Sequence, residues 1–363
     1  MRWDNLLADE TGDETRRLPL FNQEAVVRTF PTPEFRGITF YEVMAKSIIN
    51  HVPGDRFGFN WTINPYRGCS HACVFCFARP THTYLDLGAG KDFETKIVVK
   101  VNAVDLLRRE LRKPTWPGAS IAMGTNTDPY QRAEGHYKLM RGILSELNAV
   151  KNPYTILTKG TLIQRDIDLL AQGAAKMEVS TNFSVGTVDE KVWRETEPGT
   201  PHPMKRLEVV KKLNNAGVPC GVFMAPILPG ISDSMEQLEA TVRAIAASGA
   251  TRISPIVLHL KPGVREEFIP WLQDAYPHLV QPYEQIYKAT NAPKSASEPI
   301  TKAVNDLKRR YAAAPSRSAR YARSKIKTAA ISNDQKHSEQ MHFDMPEGSI
   351  RKAPKWVKGS LKG

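Results

Sequence analysis

Apolar and polar positions alternate along the middle of the chain with two different periods. From Phe59 to His259, short β-branched or apolar runs are followed by amphipathic stretches of helical period. The strand-like runs are Trp61 to Pro65, Ser120 to Thr125, Tyr154 to Thr158, Lys176 to Val185, Val218 to Pro226 and Arg252 to His259. Between them the pattern predicts helices over Ala133 to Ala149, Leu162 to Ala171, Met204 to Ala216 and Ser234 to Ser248. The segment Gly217-Val218-Pro219 stops one helix and opens the next strand. Six strands alternating with helices specify a parallel sheet, closed into a barrel or doubly wound, a choice that periodicity leaves open. Either way, functional residues belong at the carboxyl ends of the strands. Residues 1–58 are mixed, with Pro31, Pro33 and Pro53 breaking any long helix, and read as an extension that packs on the core. Residues 261–300, with Trp271, Tyr276, Tyr283 and Tyr287, read as a packed C-terminal extension.

Composition adds little until charge is mapped. The chain has 363 residues, 41% hydrophobic and 24% charged, enough for a sizeable core and unlike a disordered chain. Net charge is +12, but residues 301–363 carry 15 Lys and Arg against 5 Asp and Glu, leaving 35 against 33 before them. This basic tail includes Lys308, Arg309, Arg310, Arg317, Arg320, Arg323, Lys325 and Lys327, with Tyr311 and Tyr321 interleaved. It is read either as a nucleic-acid contact that releases phosphate counterions or as a solvated, partly disordered solubilising segment. No run of about 18 apolar residues suggests a membrane partner, and Met1 to Arg17 mixes Asp, Glu and Arg, so the expected location is cytoplasmic.

The four cysteines are Cys69, Cys73, Cys76 and Cys220, and three of them crowd one loop directly after the first strand of the core. The stretch Asn64-Pro65-Tyr66-Arg67-Gly68-Cys69-Ser70-His71-Ala72-Cys73-Val74-Phe75-Cys76 has the spacing C-x3-C-x2-C. Clustered thiols in a reducing compartment point to metal or redox chemistry rather than disulfides. Three thiolates on one tight loop suit three corners of a cubane iron-sulfur cluster, with one iron left open. The competing readings are plain buried cysteines or a structural zinc, for which His71 would have to fold back as fourth ligand; His71 otherwise reads as a surface residue or a neighbour of the ligands.

C-x3-C-x2-C with Phe75 just before the last cysteine resembles the signature of the radical S-adenosylmethionine (radical SAM) superfamily. The resemblance implies a partial (β/α)6 TIM-type barrel over residues 59–260, a 4Fe-4S cluster on Cys69, Cys73 and Cys76, and S-adenosylmethionine chelated at the open iron. It implies reductive cleavage of that cofactor to methionine and a 5′-deoxyadenosyl radical, fed by an electron donor such as a flavodoxin or ferredoxin. Phe75 would lie near the adenine. The second strand's end, Gly124-Thr125-Asn126-Thr127-Asp128, is similar to the spore photoproduct lyase (DNA repair photolyase-like) branch, on which Thr127 and Asp128 would bind the amino group. By the same resemblance Lys159 would pair with the carboxylate and Ser180 with the ribose.

The loop Met224 to Asp233 offers adenine contacts or a helix cap at Ser232 or Asp233. That branch suggests DNA as substrate, yet Thr125 stands about where its hydrogen-returning thiol would be. Cys220, beginning the fifth strand, is expected at the opposite face as a small buried apolar residue. Glu197, His259 and Arg265, in loops after the fourth and sixth strands, are further substrate-side candidates, in turns that Pro and Gly alone would explain.

Overall fold

In the computed structural model, residues 3–4, 15–18, 23–53 and 59–311 are described, with side chains from residue 25 onward. The strands in chain order are β1 (Trp3–Asp4), β2 (Thr15–Leu18), β3 (Gln23–Arg28), β4 (Thr39–Ala45), β5 (Ile49–His51), β6 (Trp61–Ile63) and β7 (Tyr66–Arg67). They continue as β8 (Lys96–Lys100), β9 (Ile121–Met123), β10 (Tyr154–Thr158), β11 (Val179–Ser184), β12 (Cys220–Ile227) and β13 (Ile253–Val257). One sheet runs β13-β12-β11-β10-β9-β6-β5. Its six strands from β6 to β13 are parallel; five lie within the runs expected from the sequence, and β12 extends one residue beyond its run, to Ile227. The open arrangement with helical crossovers is the partial (β/α)6 barrel, so the closure that periodicity leaves undecided is settled here.

The second sheet ties the described part of residues 1–58 to the core. Its order is β2-β3-β4-β8-β7, with β1 on β4. Tyr41 of β4 pairs in parallel with Val98 of β8, and Asn50 of β5 pairs with Thr62 of β6. Hydrogen-bonded ladders thus cross the expected boundary at residue 58 in both sheets. Burial alternates along β4 from Tyr41 to Ala45, and Phe40, on the opposite face, is buried as well. Phe40, Val98, Ile121, Ile156 and Met224 share a single apolar cluster, which makes the two sheets one packing unit.

Two predicted helices are interrupted. Ala133 to Ala149 breaks at Lys138, whose φ is 52°, into Arg132–Tyr137 and Leu139–Ala149. The cause is the buried Glu134 carboxylate, which accepts the amide of Met140 at 3.1 Å and caps the second helix at its electropositive end. The expected Leu162 to Ala171 begins as a 3-10 turn, Thr161–Asp166, and becomes α-helical over Ile167–Ala174. Helix Pro203–Asn215 follows the expected span closely, and Met235–Ala247 is capped by Ser234, not by Ser232 or Asp233.

The C-terminal boundary also moves. Helix Lys294–Tyr311 runs across residue 301, burying Ile300, Val304 and Leu307 at helical spacing, and Tyr311 donates to Glu239. The first eleven residues of the expected tail are therefore folded, while 312–363, with most of its charge, lie outside the described residues. In the preceding extension, Tyr283 and Tyr287 are buried and share an apolar cluster with Cys73 and Phe75, so that segment packs over the cysteine loop.

Candidate functional site

The cysteine loop is fastened from several sides. Gly68, at φ 78°, enters it where a Cβ would stand 2.9 Å from the carbonyl oxygens of Phe93 and Lys96, so only glycine passes. The Cys69 amide then donates to Phe93 O at 2.8 Å. Thr127 Oγ1 and Gln131 Nε2 donate to Gly68 O at 2.7 and 3.0 Å, and Gln131 Oε1 accepts from the Ser70 amide at 3.0 Å. Buried Arg79 donates Nε and Nη2 to Cys73 O at 3.1 and 2.9 Å and ion-pairs with Glu94. From the loop after β11, Thr196 O accepts the Val74 amide and the Gly199 amide donates to His71 O, each at 3.0 Å.

All three loop thiols are free; Cys69 and Cys73 are buried and Cys76 half-buried. Cys76 packs against two apolar clusters, one formed by Cys69, Ala78 and Phe93 and one that includes Cys73 and Phe75. Burial pushes the Cys69 and Cys76 thiols up and Cys73 to about 12, with the Lys159 charge pulling Cys73 the other way. Thiolates in such surroundings need a cationic partner, and iron supplies that charge. Among the described residues no three His, Cys, Asp or Glu side chains are grouped to hold a single ion. A cubane takes its three thiolates at three separate irons, so the donor set fits a cluster better than one zinc.

Asp128 joins this loop to the ends of β9 and β10. Its carboxylate accepts the amides of Tyr130 and Lys159 at 2.8 and 2.7 Å and the Thr158 hydroxyl at 2.6 Å, with His71 Nδ1 at 3.3 Å. Burial alone would raise its pKa, but His71 and these donors bring it below the ordinary carboxylate value. A depressed folded-state pKa contributes stability above the unfolded pKa that is lost as pH falls through the folded one. His71 is thus a buried partner of Asp128 and not a surface residue. Asp128→Asn turns an amide NH2 toward at least one of four donors, so we expect a loss of about 1–3 kcal/mol, read as a lower denaturant midpoint at unchanged slope.

At the carboxyl end of the barrel, Cys73, Phe75, Cys76, Leu157, Lys159 and Phe223 line an apolar cavity whose rim includes His259 and Lys261. Lys159 Nζ lies 5.0 Å from the Phe75 ring centroid and is ion-paired to Glu197. Phe75 and Lys159 therefore meet beside Cys73 and Cys76 in one cavity. Thr127 and Asp128 do not line this cavity; their polar atoms are engaged with the cysteine loop and the ends of β9 and β10. Ser180 is the second residue of β11, bonded to Thr155 at 3.0 Å and about 13 Å of strand from Ser184. The hydroxyl on β11 that reaches the cavity is Ser184, which donates to Ala225 O at 2.7 Å.

Of the substrate-side candidates, His259 lines the cavity, Glu197 is buried behind it between Lys159 and Arg206, and Arg265 instead donates to Tyr287 O. From the expected adenine loop, Ala225 and Pro226 reach the cavity wall. Arg79, Gln131, Gly199 and Arg206, which the fold brings to the cysteine loop or the cavity wall, carry no local signal in the sequence.

Comparison with known proteins agrees with this geometry. The family description "Radical SAM superfamily" matches residues 63–245. A protein of Mycobacterium tuberculosis, named only as uncharacterized, is 46% identical over 296 residues, covering 81% of this chain and 87% of that protein. An uncharacterized protein of Methanocaldococcus jannaschii is 29% identical over 198 residues, covering 54% of this chain and 70% of its own. Among solved structures, spore photoproduct lyase complexed with dinucleoside spore photoproduct superposes with a TM-score of 0.58 at 13% identity, over 78% of this chain and 85% of that one. A structure of that lyase with bound AdoMet gives a TM-score of 0.54 at 13% identity, over 72% and 78% of the two chains. The chain belongs to the radical SAM superfamily, whose cofactors are a 4Fe-4S cluster and S-adenosylmethionine. Among the described residues no helix is long and apolar enough to cross a membrane.

Proposed function

We propose that this chain reductively cleaves S-adenosylmethionine at a 4Fe-4S cluster held by Cys69, Cys73 and Cys76, and directs the resulting hydrogen abstraction at a substrate admitted over the apolar cavity. The observation that carries this reading is the convergence of Cys73, Cys76, Phe75 and Lys159 on one cavity at the barrel's carboxyl end. When bound, cluster and cofactor supply the electron and the radical chemistry. The protein's share is placement and shielding. Lys159 offers a cation to the cofactor carboxylate, and Phe75, Phe223, Ala225 and Pro226 form walls suited to an adenine. Leu157, Ile256 and Leu258 keep water away from a reactive intermediate. A small one-electron donor such as a flavodoxin or ferredoxin is the partner this chemistry requires, and the cytoplasm the compartment that suits it.

Nucleic acid is the substrate or partner that the charge of residues 301–363 favours. A lyase reaction with a thiol returning hydrogen is not supported. Cys220 is the only thiol outside the cluster loop, it is fully buried at the amino end of β12, and burial pushes it to about 12. Thr125, where the returning thiol would stand, is within 3.4 Å of Asn64 instead. The test is 5′-deoxyadenosine formation by the reduced protein with and without oligonucleotide at two salt concentrations. Basal formation is expected in full-length protein and in a variant ending at Tyr311, with stimulation by DNA or RNA at low salt only in the former. No basal formation would sink the enzymatic reading, and equal stimulation of both proteins would sink the role of the tail.

A further inference from the structure

A chain of three charges, two of them buried and the third half-buried, ends at the cavity wall. Glu197 receives the Lys159 ammonium on one carboxylate oxygen and the Arg206 guanidinium on the other. The Glu197 and Arg206 side chains are 7% and 0% exposed, so solvent does not screen the pair. Arg206 is itself immobilised, donating Nε to Pro201 O at 2.7 Å and Nη1 to Ser184 O at 3.0 Å. Thr200 Oγ1 donates back to Glu197 O at 2.8 Å, closing the turn. The same turn grips the cysteine loop through Thr196 O on the Val74 amide and the Gly199 amide on His71 O. The result is an ordered series: a cation that lines the cavity with Cys73, Phe75 and Cys76, an anion behind it, and a second cation behind the anion.

We infer that Glu197 is a positioning residue that fixes the Lys159 ammonium against the Cys73 to Cys76 end of the loop, and that this charge triad biases the reduction potential of the cluster. The physical reason is the low dielectric of the site, where a unit charge acts over several ångströms with little screening. Cluster potentials respond to nearby net charge, hydrogen bonds and exposure. Reduction adds negative charge to the cluster, so removing a neighbouring anion favours the reduced form and removing a neighbouring cation disfavours it. A turn that served only as scaffold would have no such sign.

The inference rests on the cluster chemistry proposed above, and its test separates the two. Full-length wild-type, Glu197→Gln and Lys159→Met proteins are reconstituted anaerobically and titrated with reductant, with the reduced cluster followed by electron paramagnetic resonance. The expected result is a potential shifted positive in Glu197→Gln and negative in Lys159→Met, at wild-type iron content. Unshifted potentials, or shifts of the same sign in both variants, overturn the inference while leaving the cluster chemistry standing. Should Glu197→Gln fail to take up iron, Lys159→Met decides alone: a negative shift supports the inference and any other result overturns it. A wild-type protein without an iron-sulfur signal would overturn both.

Discussion

Cys73→Ala protein, supplied anaerobically with iron and sulfide, is expected to fold and yet to lose its cluster. Cys73 is buried, and its carbonyl is held by Arg79 whatever side chain it carries, so the loop keeps its path. Truncating one thiol to a methyl costs stability of about 1 kcal/mol. The loss of chemistry is far larger. Mutating a residue that merely supports a metal ligand lowers affinity about 10–100-fold, so deleting a ligand is expected to reduce bound iron and 5′-deoxyadenosine formation by at least about 100-fold. Iron analysis, visible absorption and product assay read the three effects. Wild-type iron content in Cys73→Ala would contradict the ligand assignment.

Gly199→Ala is expected to separate the fold from the cluster in a different way. A Cβ at residue 199 would stand 2.1 Å from Ser70 O and 2.9 Å from the His71 carbonyl carbon. Both are backbone atoms of the cysteine loop, so the contact cannot be relieved by a side-chain rotation. Residue 199 lies between two helices and carries no sheet hydrogen bond, which leaves the barrel intact while the loop between Cys69 and Cys73 is pushed from its place. A displaced ligand set should retain iron about tenfold less well, measured as the decay of cluster absorption against a chelator, with far-ultraviolet circular dichroism unchanged. Wild-type retention would mean that the turn after β11 does not support the cluster loop.

How much of this was legible in the sequence depends on whether the information is local. The cysteine spacing lies within eight residues and needs no tertiary knowledge, which is why the cluster loop and Phe75 could be placed at once. The six parallel strands were legible because strands buried on both faces read as short apolar runs whatever they pair with. The second sheet was not, because β4 and β8 belong to segments far apart in sequence and their pairing leaves no local mark. The break at Lys138 depends on a carboxylate, Glu134, that is also engaged by Tyr66 and Arg165. Periodicity sees only an amphipathic run there.

The site residues divide along the same line. Lys159 is legible through the family resemblance, at a strand end where a barrel places its chemistry. A run of polar residues within a strand does not say which of them lies at its carboxyl end; in β11 that residue is Ser184, four after Ser180. Arg79 and Arg206 carry no local signal. Their burial is explained by carbonyls and carboxylates brought close in the fold, Ser184 O and Glu197 for Arg206, Gly90 O and Glu94 for Arg79. Glu197 was noticed for its turn, but its role as the anion between two cations is visible only when Arg206 is seen to face it.

The most direct test is the electron paramagnetic resonance spectrum of anaerobically reduced wild-type protein, recorded before and after addition of S-adenosylmethionine. Four irons and four sulfides per chain, with a reduced-cluster signal whose shape changes when the cofactor is added, is the expected result, because the three cysteines leave one iron open. A colourless protein holding one zinc, or a cluster signal indifferent to the cofactor, would contradict it.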